Sequence, residues 1–173
     1  PLLAAWDIGQ LMADLAADRG GRVRFVETRY LALLEKPLVA SGEMRFTPPD
    51  RLEKRTLAPR PETLVLDKDQ ISIERDKQKL SISLASQPQV AAFAGSMRAA
   101  LSGNRQALEK DFALHLTGAR ENWTLTLLPS DQALAAMLHR ITISGQRSRV
   151  RSVEYLQADG DRAVMVIEPL AEK

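Results

Sequence analysis

Two histidines, His115 and His139, are the only imidazoles, and they fall in separate strand-patterned segments without a nearby ligand-spaced partner. That spacing predicts partly exposed polar residues of strands rather than metal ligands or general bases. Ala94-Gly95-Ser96 is not a nucleophile elbow, because the second glycine is missing and Met97 follows the serine. The chain has no cysteine, which excludes thiol catalysis, disulfides and cysteine-held zinc or iron–sulfur centres. No phosphate-cradling loop or dinucleotide fingerprint is present. The acidic clusters, Asp67, Asp69, Glu74 and Asp76 and then Asp159 and Asp161, read as hairpin turns on a solvated edge. A carboxylate pair or a calcium loop would need a different pattern. No enzyme, cofactor or metal is expected.

The arginines and lysines offer a different chemistry. Arg147, Arg149 and Arg151 alternate, as do Arg22 and Arg24, while Arg51, Lys54 and Arg55 crowd one segment. Alternate residues of a strand share a face, so these predict basic stripes on a convex outer side. Such stripes are either a solvated, edge-protecting face or a contact for an anionic surface. The whole chain does not repeat that bias. Its 24 basic and 22 acidic residues leave a net charge of only +2, without the basic excess of a nucleic-acid binder.

The elements that carry these residues follow from hydrophobic periodicity. Ile8, Leu11, Met12 and Leu15 form an i, i+3, i+4, i+7 stripe, with Asp7 and Gln10 spaced as a capping box and Gly20-Gly21 as a stop. The period then switches to two. Strands are predicted from Arg22 to about Leu34, then over Leu38–Phe46, Leu52–Leu57, Thr63–Leu66, Gln70–Arg75 and Lys79–Leu84. From Pro88 to Phe112, Val90, Phe93, Met97 and Leu101 recur at helical spacing. Gly95 and Gly103 are expected to divide that stretch into short helices, with Asn104 capping the last. Strands resume over Phe112–Thr117 and Asn122–Leu128. A helix-like bridge over Ser130–Leu138 precedes the strands Arg140–Ser144, Val150–Gln157 and Arg162–Ile167.

With 173 residues, this is one domain large enough to bury a core. About ten or eleven strands joined by short turns predict an α+β fold, mainly antiparallel β, strongly curved or barrel-like. The two helical regions are the pieces available to cover its single apolar face. That face is predicted to comprise Phe25, Met44, Phe46, Ile71, Ile73, Ile82, Leu84, Leu114, Leu116, Trp123, Leu125, Leu127, Ile141, Ile143, Val153, Tyr155, Met165 and Ile167. Periodicity alone does not tell whether these residues enclose a filled core or a cavity.

No window of 18 uninterrupted apolar residues exists, so no transmembrane helix is expected. The opening segment lacks a basic n-region and is interrupted by Asp7, Gln10 and Asp14. The first residue is not Met, from which removal of an N-terminal segment, by processing or cloning, is expected. A secretory signal is compatible with that missing piece.

The order of these elements resembles the LolA-like family over Met12 to Leu170. The resemblance rests on Val23-Arg24-Phe25, on Pro37-Leu38 with Ser41-Gly42-Glu43-Met44-Arg45-Phe46, and on Pro48-Pro49-Asp50-Arg51-Leu52-Glu53-Lys54-Arg55. It continues through Pro59-Arg60-Pro61, Leu101-Ser102-Gly103, Trp123-Thr124-Leu125-Thr126-Leu127 and Gly160-Asp161-Arg162. It implies an incomplete curved barrel of about 10–11 strands, with the N-terminal and central helices as a lid over an apolar cavity. The implied function is a non-enzymatic periplasmic carrier or chaperone for the acyl chain of a lipoprotein or lipid, bound for the outer membrane. The residues of the apolar face become the implied lipid-binding walls, and Leu11, Leu15, Val90, Phe93, Met97 and Leu101 the lid. Membrane-associated donor and acceptor proteins are implied partners, and a monomer is expected.

The pattern departs from the lipoprotein carriers at three places. Pro48 stands where an arginine ties barrel to lid, Lys54 stands where the third strand carries an aromatic residue, and the chain ends soon after Pro169. These departures favour a carrier of another acylated molecule over lipoprotein handover in the family's usual manner. The rival reading is a non-catalytic structural or interaction module with a filled core, docking through its basic outer face.

Overall fold

The computed structural model describes residues 6–18 and 21–170. It opens with α1 (Ile8–Ala17), closed at its start by the predicted capping box. The Asp7 carboxylate accepts from the Gln10 N–H at 2.9 Å, and the Gln10 side chain accepts from the Asp7 N–H at 3.1 Å. Of the glycine pair expected to stop this helix, Gly20 lies outside the described residues.

Six strands follow as an antiparallel meander: β1 (Gly21–Tyr30), β2 (Leu38–Thr47), β3 (Arg51–Ala58), β4 (Glu62–Asp67), β5 (Gln70–Arg75) and β6 (Gln78–Ser83). A turn of 3₁₀ helix (Leu84–Ser86), then α2 (Pro88–Ser102) and α3 (Arg105–Asp111), lead to a second meander. Its strands are β7 (Phe112–Ala119), β8 (Asn122–Pro129), β9 (Leu138–Gln146), β10 (Arg149–Gln157) and β11 (Arg162–Pro169), with one helical turn, α4 (Gln132–Ala135), between β8 and β9. Antiparallel pairing of β1 with β11, from Val23↔Pro169 to Tyr30↔Arg162, joins the two meanders. The result is one eleven-stranded antiparallel sheet whose edges are β6 and β7. It is the expected fold.

The sheet curls because its strands carry irregularities. A bulge at Ser41/Gly42 lets β3 approach so closely that a Cβ on Gly42 would stand 2.0 Å from the Arg55 carbonyl oxygen. Gly145 is equally confined, by the Arg149 carbonyl at 2.3 Å and the Trp123 ring at 2.5 Å from its absent Cβ. Register shifts in the β9–β10 ladder bend the other half.

Alternation sends apolar residues to the concave side, where Phe25, Leu66, Ile71, Trp123, Leu125, Ile141 and Met165 are buried. Two helices fill that concavity. Ala92, Ala94, Ser96, Met97, Ala99 and Ala100 of α2 are buried, so its small side chains face neighbours on several sides. The buried Ser96 hydroxyl donates to the Phe93 carbonyl at 2.9 Å. Arg98 donates to the carbonyls of Asp50 at 3.0 Å and Lys68 at 2.5 Å, pinning the helix to two strand turns.

Several local expectations need correction. Gly95 does not divide the central helix, which runs unbroken for 15 residues, because tertiary burial outweighs the roughly 1 kcal/mol that a mid-helix glycine costs. Only Gly103, left-handed at φ +66°, ends it, and Asn104 then caps α3 through the Ala107 N–H. β1 stops at Tyr30 rather than Leu34, since its pairing with β11 ends at Arg162 and residues 31–34 close a turn. Leu84 belongs to the 3₁₀ turn rather than to a strand. The bridge shortens to α4, because Leu138 already pairs with Gln157 on β10.

Replacing Gly42 with alanine should therefore destabilise the fold by about 2 kcal/mol or more, as the close carbonyl is backbone and cannot rotate away. Urea unfolding of Gly42→Ala measures this, and a loss within experimental error would show that β3 can give way.

Candidate functional site

A cavity of about 650 Å³ lies at the end of the barrel where β1 begins and β11 finishes. Val23, Met44, Phe46, Leu52, Val150 and Ile167 from five neighbouring strands form its wall, and Pro169 and Leu170 extend that wall. Leu15 of α1 and Leu101 of α2 close it from the helix side. Asp18, Gly21, Arg22, Ser148 and Arg149 surround its mouth. An apolar chamber with a few polar groups at one end suits an amphiphile.

Besides the burial of Leu11, Met12 and Leu15, two contacts fix α1 over this chamber. Arg120 in the β7–β8 turn donates to both oxygens of Asp14, at 3.0 and 2.8 Å. Gly103 lies against α1 so tightly that a Cβ there would stand 2.2 Å from the Met12 carbonyl oxygen.

Of the residues expected to form the walls, Met44, Phe46 and Ile167 reach the cavity, joined from the expected lid by Leu15 and Leu101. Phe25, Ile71, Trp123, Leu125, Leu127, Ile141, Ile143, Val153, Tyr155 and Met165 are buried in the core, together with Leu11 and Met97 of the lid. Ile73, Ile82, Leu84, Leu114 and Leu116, with Val90 and Phe93, pack half-buried against that core. Most of the concave face is thus occupied by helix, and open space remains at one end. Val23, Leu52 and Val150 were not singled out, although each continues the inward alternation of its strand.

The basic stripes are also only partly realised. Arg24, Arg149 and Arg151 are exposed, and Arg22 faces Glu43 at 3.8 Å. Arg147 instead sits in the β9–β10 turn at φ 51° and pairs with Glu121 at 2.8 Å. Lys54 points inward, a correction to the convex placement, because it shares a face with buried Leu52. Its ammonium lies 5.1 Å above the Phe25 ring and 3.1 Å from Glu27, forming a partly buried ion pair on the concave face. Gly42 lies between these strands and offers no side chain to separate them.

His115 and His139 are both exposed, and among the described residues no group of His, Asp and Glu could hold a metal ion. The acidic residues serve turns. Asp161 accepts from the Ala32 N–H at 2.9 Å, Asp159 accepts from the Asp161 N–H, and Asp76 pairs with Arg60.

The family model for the outer membrane lipoprotein carrier protein LolA-like proteins matches residues 3–172. The chain belongs to the LolA-like family. No curated protein matches this LolA-like chain by sequence. Among solved structures, a DUF1329 family protein from Desulfovibrio piger is 10% identical with a TM-score of 0.50, over 94% of this chain and 89% of that one. A LolA superfamily protein from Nitrosomonas europaea is 9% identical with a TM-score of 0.47, over 99% and 96% of the two chains. MucB of Pseudomonas aeruginosa, in complex with MucA, is 16% identical with a TM-score of 0.43, over 96% of this chain and 57% of that one.

Two measurements follow from this packing. Gly103→Ala forces a Cβ into α1 and strains a left-handed residue, so it should lower stability by about 2 kcal/mol and speed hydrogen exchange of the α1 amides. Unchanged α1 exchange would mean that the helix is held elsewhere. Tyr155 packs edge-on against Phe93 at 5.2 Å, and burial raises its phenol above the ordinary 10.0. A raised acid is protonated longer when folded. Its contribution is therefore complete below pH 10.0 and is lost as pH rises through the folded value. Tyr155→Phe should remove that part of the alkaline slope in unfolding measured against pH.

Proposed function

We propose that this LolA-like protein is a non-catalytic periplasmic carrier or chaperone that takes the acyl chain of a lipoprotein or lipid into its cavity, for transfer toward the outer membrane. The observation that carries this reading is the cavity itself: about 650 Å³ of mostly apolar wall, open at a polar mouth, in a chain of a carrier family. Pockets of this size accommodate a single small ligand. Each buried methylene contributes about 0.8 kcal/mol, so ten of them supply roughly 8 kcal/mol before association costs. That places a chain near micromolar affinity, tight enough to hold and weak enough to release. Membrane-associated donor and acceptor proteins complete the proposed route.

Leu101 separates this reading from that of a filled, purely structural module. It is half-buried and closes the chamber, whereas Met97 four residues earlier is only 4% exposed. Leu101→Asp should reduce binding of a fluorescent fatty acid at least tenfold, while thermal unfolding shifts by about 2 kcal/mol or less. Met97→Asp should instead prevent stable folding, since it buries an unpaired charge. Saturable one-to-one binding by the unaltered protein is required throughout. If the unaltered protein binds no probe, or Leu101→Asp binds it as well as the unaltered protein, the cavity is not the ligand site.

A further inference from the structure

The mouth of the cavity is more constructed than a solvated rim requires. Ser148 lies in the β9–β10 turn and Arg149 opens β10, and three contacts anchor that turn through Arg147. Its N–H donates to the Arg120 carbonyl at 2.7 Å, its guanidinium donates to Glu121 at 2.9 Å, and its carbonyl accepts from Trp123 Nε1 at 3.0 Å. Trp123 is itself only 1% exposed, so the turn is fixed to the core. Arg120 also holds Asp14 of α1, which links the turn to the helix that closes the chamber.

Two groups so positioned have no partner among the described residues. Among the described residues, Arg149 has no ion pair and the Ser148 hydroxyl no hydrogen bond. Arg22, at the start of β1, turns its guanidinium to Glu43 on the outer face of the sheet, 3.8 Å away. The mouth lining thus includes Ser148 and Arg149 together, beside the apolar wall. A guanidinium presents paired donors that match a carboxylate or phosphate, and it binds them bidentately. The apolar chamber begins directly behind, at Val23 and Val150.

We propose that the ligand is an amphiphile with an anionic head, the head held by Arg149 and Ser148, and one acyl chain inserted into the chamber. This rests on the reading of the cavity as an acyl-chain site and adds the chemistry of the head. A carboxylate and a phosphate head share that chemistry.

Calorimetric titration of the full chain with monomeric palmitate, palmitoyl lysophosphatidate and hexadecanol tests it. At low salt the two anions should bind about tenfold more tightly than the neutral alcohol, and added salt should narrow the gap. Preference for one anion over the other identifies a carboxylate or a phosphate as the head. Arg149→Glu should erase the advantage of the anions over hexadecanol, both measured on the same variant. Arg149→Gln should erase most of it, without introducing a charge. If hexadecanol binds the unaltered protein as tightly as the anions, the anionic head is refuted and the acyl-chain site stands. If none of the three binds, the acyl-chain site fails and the head-group inference fails with it.

Discussion

Pairing of β1 with β11 is the constraint on which the rest of this structure depends. Every other strand pairs with its neighbours in sequence, through turns or, between β8 and β9, a short helical connection. Left to themselves these pairs would give two separate meanders, β1–β6 and β7–β11. The β1–β11 ladder makes them one surface, and it does so across most of the chain's length, from Val23↔Pro169 to Tyr30↔Arg162. It also builds the cavity. Val23 and Ile167 meet there only because the first strand and the last run side by side. A contact this distant in sequence closes a long loop, whose entropy must be offset by what the joined surface then buries.

What it buries is mostly its own helices. A curved sheet cannot cover its concave face from within, and the chain connecting β6 to β7 supplies the cover. The small residues of α2 let that helix lie deep, which explains why so much of the expected cavity wall is packed core. The Glu27–Lys54 pair adds a polar bar across the remaining space, with the lysine stem and head over Phe25. Where a third-strand aromatic would have added apolar surface, this chain places a charge that needs a partner. The open volume is displaced toward the end of the barrel, where α1 and α2 run out.

Much of this was readable in the residues. Period-two alternation located the strands within a few positions, and Asp7 with Gln10 marked the start of α1. The resemblance carried by the ordered motifs pointed to the family that the chain proves to belong to. The failures have specific causes. Gly95 looks like a helix breaker, yet burial of Ala94, Ser96 and Met97 around it overrides propensity. Residues 31–34 are as apolar as a strand, but no partner strand extends beside them, so Leu33 is 98% exposed. Grouping with Arg51 and Arg55 in a basic stripe predicts Lys54 outward, whereas its spacing from buried Leu52 sets it inward. The cavity was least legible, because alternation identifies which residues face in and not which of them meet a helix.

The position of the open volume bears on how a ligand could reach it. Lifting α1 would re-expose Leu11, Met12 and Leu15, now at 0, 5 and 2% exposure, at roughly 2 kcal/mol each. The Asp14–Arg120 pair adds less, since Arg120 is half-exposed and such pairs contribute about 1 kcal/mol at most. Full displacement of the helix therefore costs about 7 kcal/mol, near the whole of what ten buried methylenes would return. A route that opens the lid would leave little net affinity. The mouth beside Ser148 and Arg149 demands no such exposure, as it is already open to solvent between strand ends. A chain entering there, as proposed, would keep its binding energy, and its polar end would stay at the rim.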